Sequence, residues 1–260
     1  MSFPNFENKH AQPAIVTAAE WLKHRRVALA ERLTPLHSVI FCYQSSLIEY
    51  ARRHYAARQE QGLLGHLYRL EKTSGHTALA CDFGIGAPVV AALTEQLAAL
   101  GARRIVSIGL AGGLQPGLRA GDIVVCERAI RDEGTSHHYL PASKHAAASE
   151  TMTAALCRAL DAQGQLYTIG ASWTTDAPFR ETRAEIEQYR AEGVAAVDME
   201  ASALFTVGAC LRIAVGAAFV IGDTYAHERW QFDFDARAAE RRLNRLLDAA
   251  VIALERLDPE

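Results

Sequence analysis

Two carboxylates flank a thioether at Asp198-Met199-Glu200, directly after the apolar run Val194-Ala195-Ala196-Val197. Small and apolar residues follow from Ala201 to Leu204. That change of pattern predicts a strand handing over to a helix. Open α/β sheets hold ligands at the carboxyl ends of their strands, so acids at such a junction face a binding crevice. Carboxylates accept hydrogen bonds from hydroxyl groups, and the methionine offers an apolar surface beside them. The combination suits a sugar. The plainer use of an acid at this kind of junction is a helix cap or an ion pair. A second acid, Asp223, ends the apolar run Ile213–Ile221 in Gly222-Asp223-Thr224 and is open to the same two readings.

Two glycine-rich stretches also follow apolar runs. Phe83-Gly84-Ile85-Gly86-Ala87-Pro88 opens a helical pattern, with Pro88 in a first turn that tolerates its missing N–H. Gly109-Leu110-Ala111-Gly112-Gly113-Leu114 follows Ile105–Ile108 and predicts a loop whose backbone N–H groups form an anion or hydroxyl nest. Neither gives Gly-x-Gly-x-x-Gly with an acidic partner, which argues against a dinucleotide-binding dehydrogenase. The polar stretch Arg131–Pro141 carries Thr135, His137 and His138. Two adjacent histidines without a third ligand make a poor metal site, so no metal is expected.

The elements that must position these residues alternate along the chain. Strands are predicted at Val39–Tyr43, His66–Leu70, Thr77–Cys81, Ile105–Ile108, Gly121–Cys126, Tyr167–Trp173 and Ile213–Ile221. Helices are predicted at Leu47–Gln61, Val89–Leu100, Ala146–Gly164, Thr182–Ala191 and Asp235–Leu257. Residues 1–36 read as a helical extension, and 37–260 as a single α/β domain, a three-layer sandwich of helices around a sheet.

Composition narrows the partners. The chain has 260 residues, half of them hydrophobic, and a net charge of -3. Without a basic excess, nucleic acid and acidic membranes are not expected as partners. No uninterrupted apolar run reaches the ~18 residues of a membrane span. The first ten residues lack a basic start followed by an apolar block, so no signal peptide is expected. The five cysteines are scattered and form no Cys-x-x-Cys pair. They read as reduced thiols of a cytoplasmic protein.

Taken together, Gly84–Pro88, Ile108–Leu114 with Gly121-Asp122-Ile123-Val124, Val197–Ala203 and Gly222-Asp223 resemble, in order, the nucleoside phosphorylase family. This is the group of purine nucleoside and uridine phosphorylases and methylthioadenosine/adenosylhomocysteine nucleosidases. The resemblance runs from about Val39 to the C-terminus. It implies a twisted, partly closed mixed sheet flanked by helices, and a homo-oligomer, dimer or hexamer, in which a neighbour helps build the site. The implied reaction cleaves the N-glycosidic bond of a small-molecule nucleoside, with no cofactor. Glu200 matches the residue that holds the ribose hydroxyls, and Met199 the one beneath the sugar. Asp198 matches the acid that, in the nucleosidases, helps arrange the attacking water. Asp223 matches the acid at N7 of a purine, which tilts the expected base towards a purine. Trp173, Thr175 and Phe179 fall where the family forms its base pocket. Gly109, Leu110, Ala111 and Gly112 fall at the loop that holds the nucleophile.

The resemblance breaks at the phosphate clamp. Phosphorylases of the group carry an early Gly-Asp-Pro-x-x-Arg loop, where this chain reads Cys42-Tyr43-Gln44-Ser45-Ser46. Their later arginine is Ser107 here, and their threonine is Leu110. A phosphate dianion without a guanidinium partner is costly to desolvate. Phosphate therefore stays a candidate co-substrate beside water, and a non-catalytic nucleoside-binding relative is a third reading.

Overall fold

The computed structural model describes residues 6–24, 36–60, 64–225, 230 and 235–257. Its central strand is β5 (Arg104–Gly113), long enough to serve two sheets at once. Along one edge it pairs in parallel with β10 (Ala214–Thr224) over its whole length. Along the other edge its first half pairs in parallel with β1 (Ser38–Cys42), and its last two residues pair antiparallel with β9 (Ala196–Asp198). Beyond β10 come β6 (Ile123–Asp132) and β8 (Tyr167–Thr175), and β8 returns to β9. These five strands close a ring, β5-β10-β6-β8-β9. From β1 an open wing continues through β4 (Thr77–Cys81), β3 (His66–Leu70) and β2 (Ala57–Glu60). A short β7 (His145–Ala147) pairs with β6. The result is the expected mixed, partly closed sheet.

Helices cover both faces. On one side, α1 (Ala18–His24) packs on α3 (Ala87–Ala99), which packs on α6 (Ala201–Leu211). On the other, α7 (Ala236–Arg256) packs on α2 (Ser46–Tyr55) and α4 (Glu150–Ala162). The period-2 alternation of strands explains the two cores. In β1, Val39 and Phe41 enter one core with Leu204 and Phe205, while Ile40 and Cys42 enter the other with Met152 and Leu246. A third cluster, around Trp173, Ile130 and Val197, lies under α5 (Arg183–Ala191).

Three local expectations are corrected. The helix expected at Leu47–Gln61 ends at Tyr55, because Ala56 turns left-handed at φ 49°. Arg58 then lies on β2, pairing with Glu71 at 2.6 Å. The helix expected at Ala146–Gly164 begins only at Glu150, because β7 occupies the residues before Ala148. The glycine loop expected at Gly109–Gly113 is strand, the second half of β5. Residues 1–5 and 25–35 of the helical extension expected over residues 1–36 lie outside the described residues.

Candidate active site

β1 stops pairing with β5 at Cys42 opposite Ile108, and along β5 the pairing with β9 begins only at Gly112 opposite Val197. Between them, no described strand lies beside that edge of β5 over Gly109–Ala111. A cavity of about 510 Å3 opens at this break, with Leu110, Ala111 and Gly112 in its lining. The glycines provide clearance. A Cβ at Gly109 would stand 2.9 Å from the Tyr43 ring, and one at Gly112 2.8 Å from Val197 Cγ1. The predicted nucleophile segment therefore reaches the cavity, but as strand backbone rather than as a loop.

Asp198-Met199-Glu200 forms one wall. Asp198 is buried and fully bonded. Its Oδ1 accepts from Ser172 Oγ at 2.6 Å and Thr174 Oγ1 at 2.9 Å. Its Oδ2 accepts from the N–H groups of Glu200 and Ala201 at 2.8 and 2.6 Å, at the start of α6. Burial pushes this carboxyl up, and the four bonds pull it back. The structure thus gives Asp198 the capping role and ties β8, β9 and α6 together through it. Glu200 is held more loosely. Its Oε1 accepts from Gly86 N–H at 2.6 Å, at the positive end of α3, and Oε2 accepts from Met199 N–H at 3.3 Å. Burial, and then the charge of Asp198, pushes Glu200 up to about 7. Met199 is half-buried in the same lining.

Asp223 stands on the opposite wall. The β5–β10 register slips between Ile221 and Asp223, a bulge at Gly222. Bulges re-aim the side chains beside them. Asp223 accepts from Trp230 Nε1 at 2.6 Å, and burial raises its carboxyl. Next to it stands a residue the sequence reading did not single out, Glu181, which accepts from the Tyr225 hydroxyl. Burial raises Glu181, and the charge of Asp223 adds to the rise. Tyr225 had a sequence signal: it lies two residues past Asp223, on the same face of an extended chain. Glu181 carried a competing one, since it directly precedes the Thr182 capping box that starts α5.

The other predicted base-side residues divide. Phe179 lines the mouth and is 98% exposed, beside Ile85 at 61% and Trp230 at 60%. Trp173 is corrected to a core residue. It is 1% exposed, packs on Tyr189, and donates to Asp132 Oδ2 at 2.8 Å. Thr175 is also buried outside the cavity lining, its Oγ1 accepting from Ala177 N–H at 3.2 Å. His137 and His138 are turned to Arg131 O and to Lys9 Nζ, at 3.1 and 3.0 Å. Among the described residues no group of three His, Cys, Asp or Glu side chains is placed to hold a metal ion.

At the clamp position, Ser107 is buried and hydrogen-bonded to the Tyr43 hydroxyl at 3.0 Å. Burial and the charge of Glu200 push the Tyr43 phenol well up, so it stays neutral. Four carboxylates (Glu181, Asp198, Glu200 and Asp223) line the cavity, and no arginine or lysine among the described residues does. Arg180 is exposed and outside that lining. Gln44 lies beside Tyr43 in the lining, and its buried Oε1 has no hydrogen-bond partner among the described residues.

Comparison with known proteins agrees with this architecture. The chain is 30% identical to a uridine phosphorylase of Haemophilus influenzae over 163 residues, 57% of this chain and 64% of that protein. It is 30% identical to the uridine phosphorylase of Treponema pallidum over 188 residues, 68% of this chain and 73% of that protein. The chain thus spans about two thirds of the length of the curated relatives it matches. Two solved structures share its fold. One is an AMP nucleosidase from Bacteroides thetaiotaomicron, with a TM-score of 0.70 and 24% identity over 90% of this chain and 96% of that one. The other is a purine nucleoside phosphorylase from Toxoplasma gondii in complex with immucillin-H, with a TM-score of 0.75 and 20% identity over 87% and 94%. The family model described as the phosphorylase superfamily matches residues 27–252, and the chain belongs to that superfamily.

Proposed function

We propose that the protein cleaves the N-glycosidic bond of a nucleoside with a purine or purine-like base, using water as the nucleophile. One observation carries the choice of water: the described cavity lining holds four carboxylates and no cation. A phosphate dianion placed there meets repulsion instead of a guanidinium fork. The ring of Tyr43 and its bond to Ser107 take up the clamp position with a neutral pair. The uridine phosphorylase relatives favour the second reading, phosphorolysis.

In the proposed reaction Glu200 accepts hydrogen bonds from the ribose hydroxyls, and Met199 packs against the sugar. As the bond breaks, positive charge grows on the ribose, and the carboxylates of this wall stabilise it. Asp198 contributes charge and holds Glu200 in place, its own oxygens being occupied. Gln44 Oε1 accepts a hydrogen bond from the attacking water, and the proton that this water loses as it bonds to the sugar passes to the Glu200 carboxylate. Asp223 delivers a proton to the departing base, which leaves more readily neutral. Glu181, oriented by Tyr225, accepts from an N–H on the edge of the base. Two acids at this edge suit a base that offers donors and takes a proton better than one edged with carbonyl oxygens. The exposed apolar mouth of Phe179, Ile85 and Trp230 fits a homo-oligomer in which a neighbour covers it.

The test is a panel of purine and pyrimidine nucleosides incubated with and without phosphate. Free base and free ribose at the same rate in both support the proposal. Strict dependence on phosphate, with ribose 1-phosphate as product, rejects water. Saturable binding without turnover, lost in Glu200→Ala, establishes a nucleoside-binding protein instead.

A further inference from the structure

The polar face of α7 carries Arg241, Arg242 and Arg245, and these line a second cavity of about 640 Å3 between α7 and α2. It shares no lining residue with the candidate active site. Tyr50 and His54, one helical turn apart on α2, form the facing wall, their rings stacked 4.1 Å apart. The charge here is one-sided. Asp248 already accepts from the hydroxyls of Tyr50 and Tyr55 at 2.8 and 2.7 Å, and Arg245 stands 3.8 Å from it. Arg242 uses one N–H on Gln165 Oε1 at 2.9 Å. Arg241 has no partner among the described residues. A buried acceptor, Asn244 Oδ1, is also without one among them.

Three guanidinium groups around a concave surface focus positive potential, even on a chain whose net charge is -3. We propose that this cavity binds a small phosphorylated metabolite, with its phosphoryl oxygens on Arg241, Arg242 and Arg245 and a donor group on Asn244. Guanidinium forks match phosphoryl oxygens two at a time, and the cavity is of small-molecule size. Both helices lie close in sequence to residues of the candidate active site, without lining it. α2 starts two residues after Gln44, and α7 follows the segment that carries Tyr225 and Trp230.

The experiment titrates the full-length protein with ATP and with pyrophosphate by calorimetry. Saturable binding at one site per chain, weakened by added salt, is expected for both probes. Arg241→Ala with Arg242→Ala, two exposed side chains, weakens it about tenfold or more, while circular dichroism stays native. Arg237→Ala, on the same helix outside the cavity, and Glu200→Ala leave it in place. No binding of either probe at roughly millimolar concentration overturns the proposal. So does unchanged affinity in the double variant, an equal loss in Arg237→Ala, or a loss in Glu200→Ala, which moves the binding to the other cavity.

Discussion

Replacing Glu200 by glutamine separates the burden this residue places on the fold from its use in the site. Glu200 is 9% exposed, and its carboxyl is raised from 4.5 to about 7. An acid raised on folding holds its proton more tightly folded than unfolded. The associated stabilisation is complete below about pH 4.5 and is lost as pH rises through about 7. A displacement of this size is worth about 3 kcal/mol. Glutamine cannot ionise, yet its carbonyl oxygen still accepts from Gly86 N–H. Relative to the unmodified protein, Glu200→Gln is therefore expected to gain about 3 kcal/mol between about pH 4.5 and pH 8. Urea unfolding of both proteins across that window measures the difference. A flat difference would refute the argument, because it would mean that Glu200 ionises at no cost in the folded state. In the same variant kcat/KM for a nucleoside is expected to fall, since a neutral amide replaces the carboxylate proposed to accept from the ribose hydroxyls. In the unmodified protein, the proposed role predicts that kcat/KM rises with pH up to about 7 as Glu200 ionises.

Asp223→Asn removes the proposed proton donor at the base and is expected to slow release of the proposed purine base roughly 10²–10⁴-fold, measured by free-base formation; an unchanged rate would end its role as the acid. Tyr43→Phe leaves the buried Ser107 hydroxyl without its partner and costs about 1–3 kcal/mol in chemical unfolding. Gly109→Ala drives a Cβ against the Tyr43 ring and costs about 1–3 kcal/mol, and the cost shrinks in a Tyr43→Ala background; equal costs in both would show that the ring is not the obstacle. Asp235→Ala removes the side chain that accepts from Arg237 and Ala238 N–H and costs about 1 kcal/mol of thermal stability.

The strands and helices were legible wherever one face or both faces are buried, as in β1, β10 and α7. What escaped depends on the backbone rather than on hydrophobic pattern. Ala56 adopts a left-handed turn without glycine, so the end of α2 left no mark. The glycines of β5 look like loop residues, yet they are strand residues selected for clearance beneath Tyr43 and Val197. Asp198, Glu200 and Asp223 do gather on one cavity, as the strand–turn junctions suggested. Trp173 lies in the core, which periodicity cannot tell from a cavity position because both faces of β8 are buried there. Glu181 and Tyr225 approach each other across 44 residues of chain, and only the closure of the ring brings them together.

That closure has a consequence for synthesis. The cavity draws Tyr43 from the exit of β1, Glu200 from the exit of β9 and Asp223 from β10. β10 is the partner that seals the ring against both β5 and β6. A nascent chain that has not yet delivered Ala214–Thr224 therefore has no ring, no Asp223 and no complete cavity. The wing of β1 to β4 and its helices can form early from local contacts, but the site arises only once the chain has emerged as far as Thr224. Premature termination between β6 and β10 leaves the edges of β5 and β6 that face β10 unpaired and exposed to pairing with other chains.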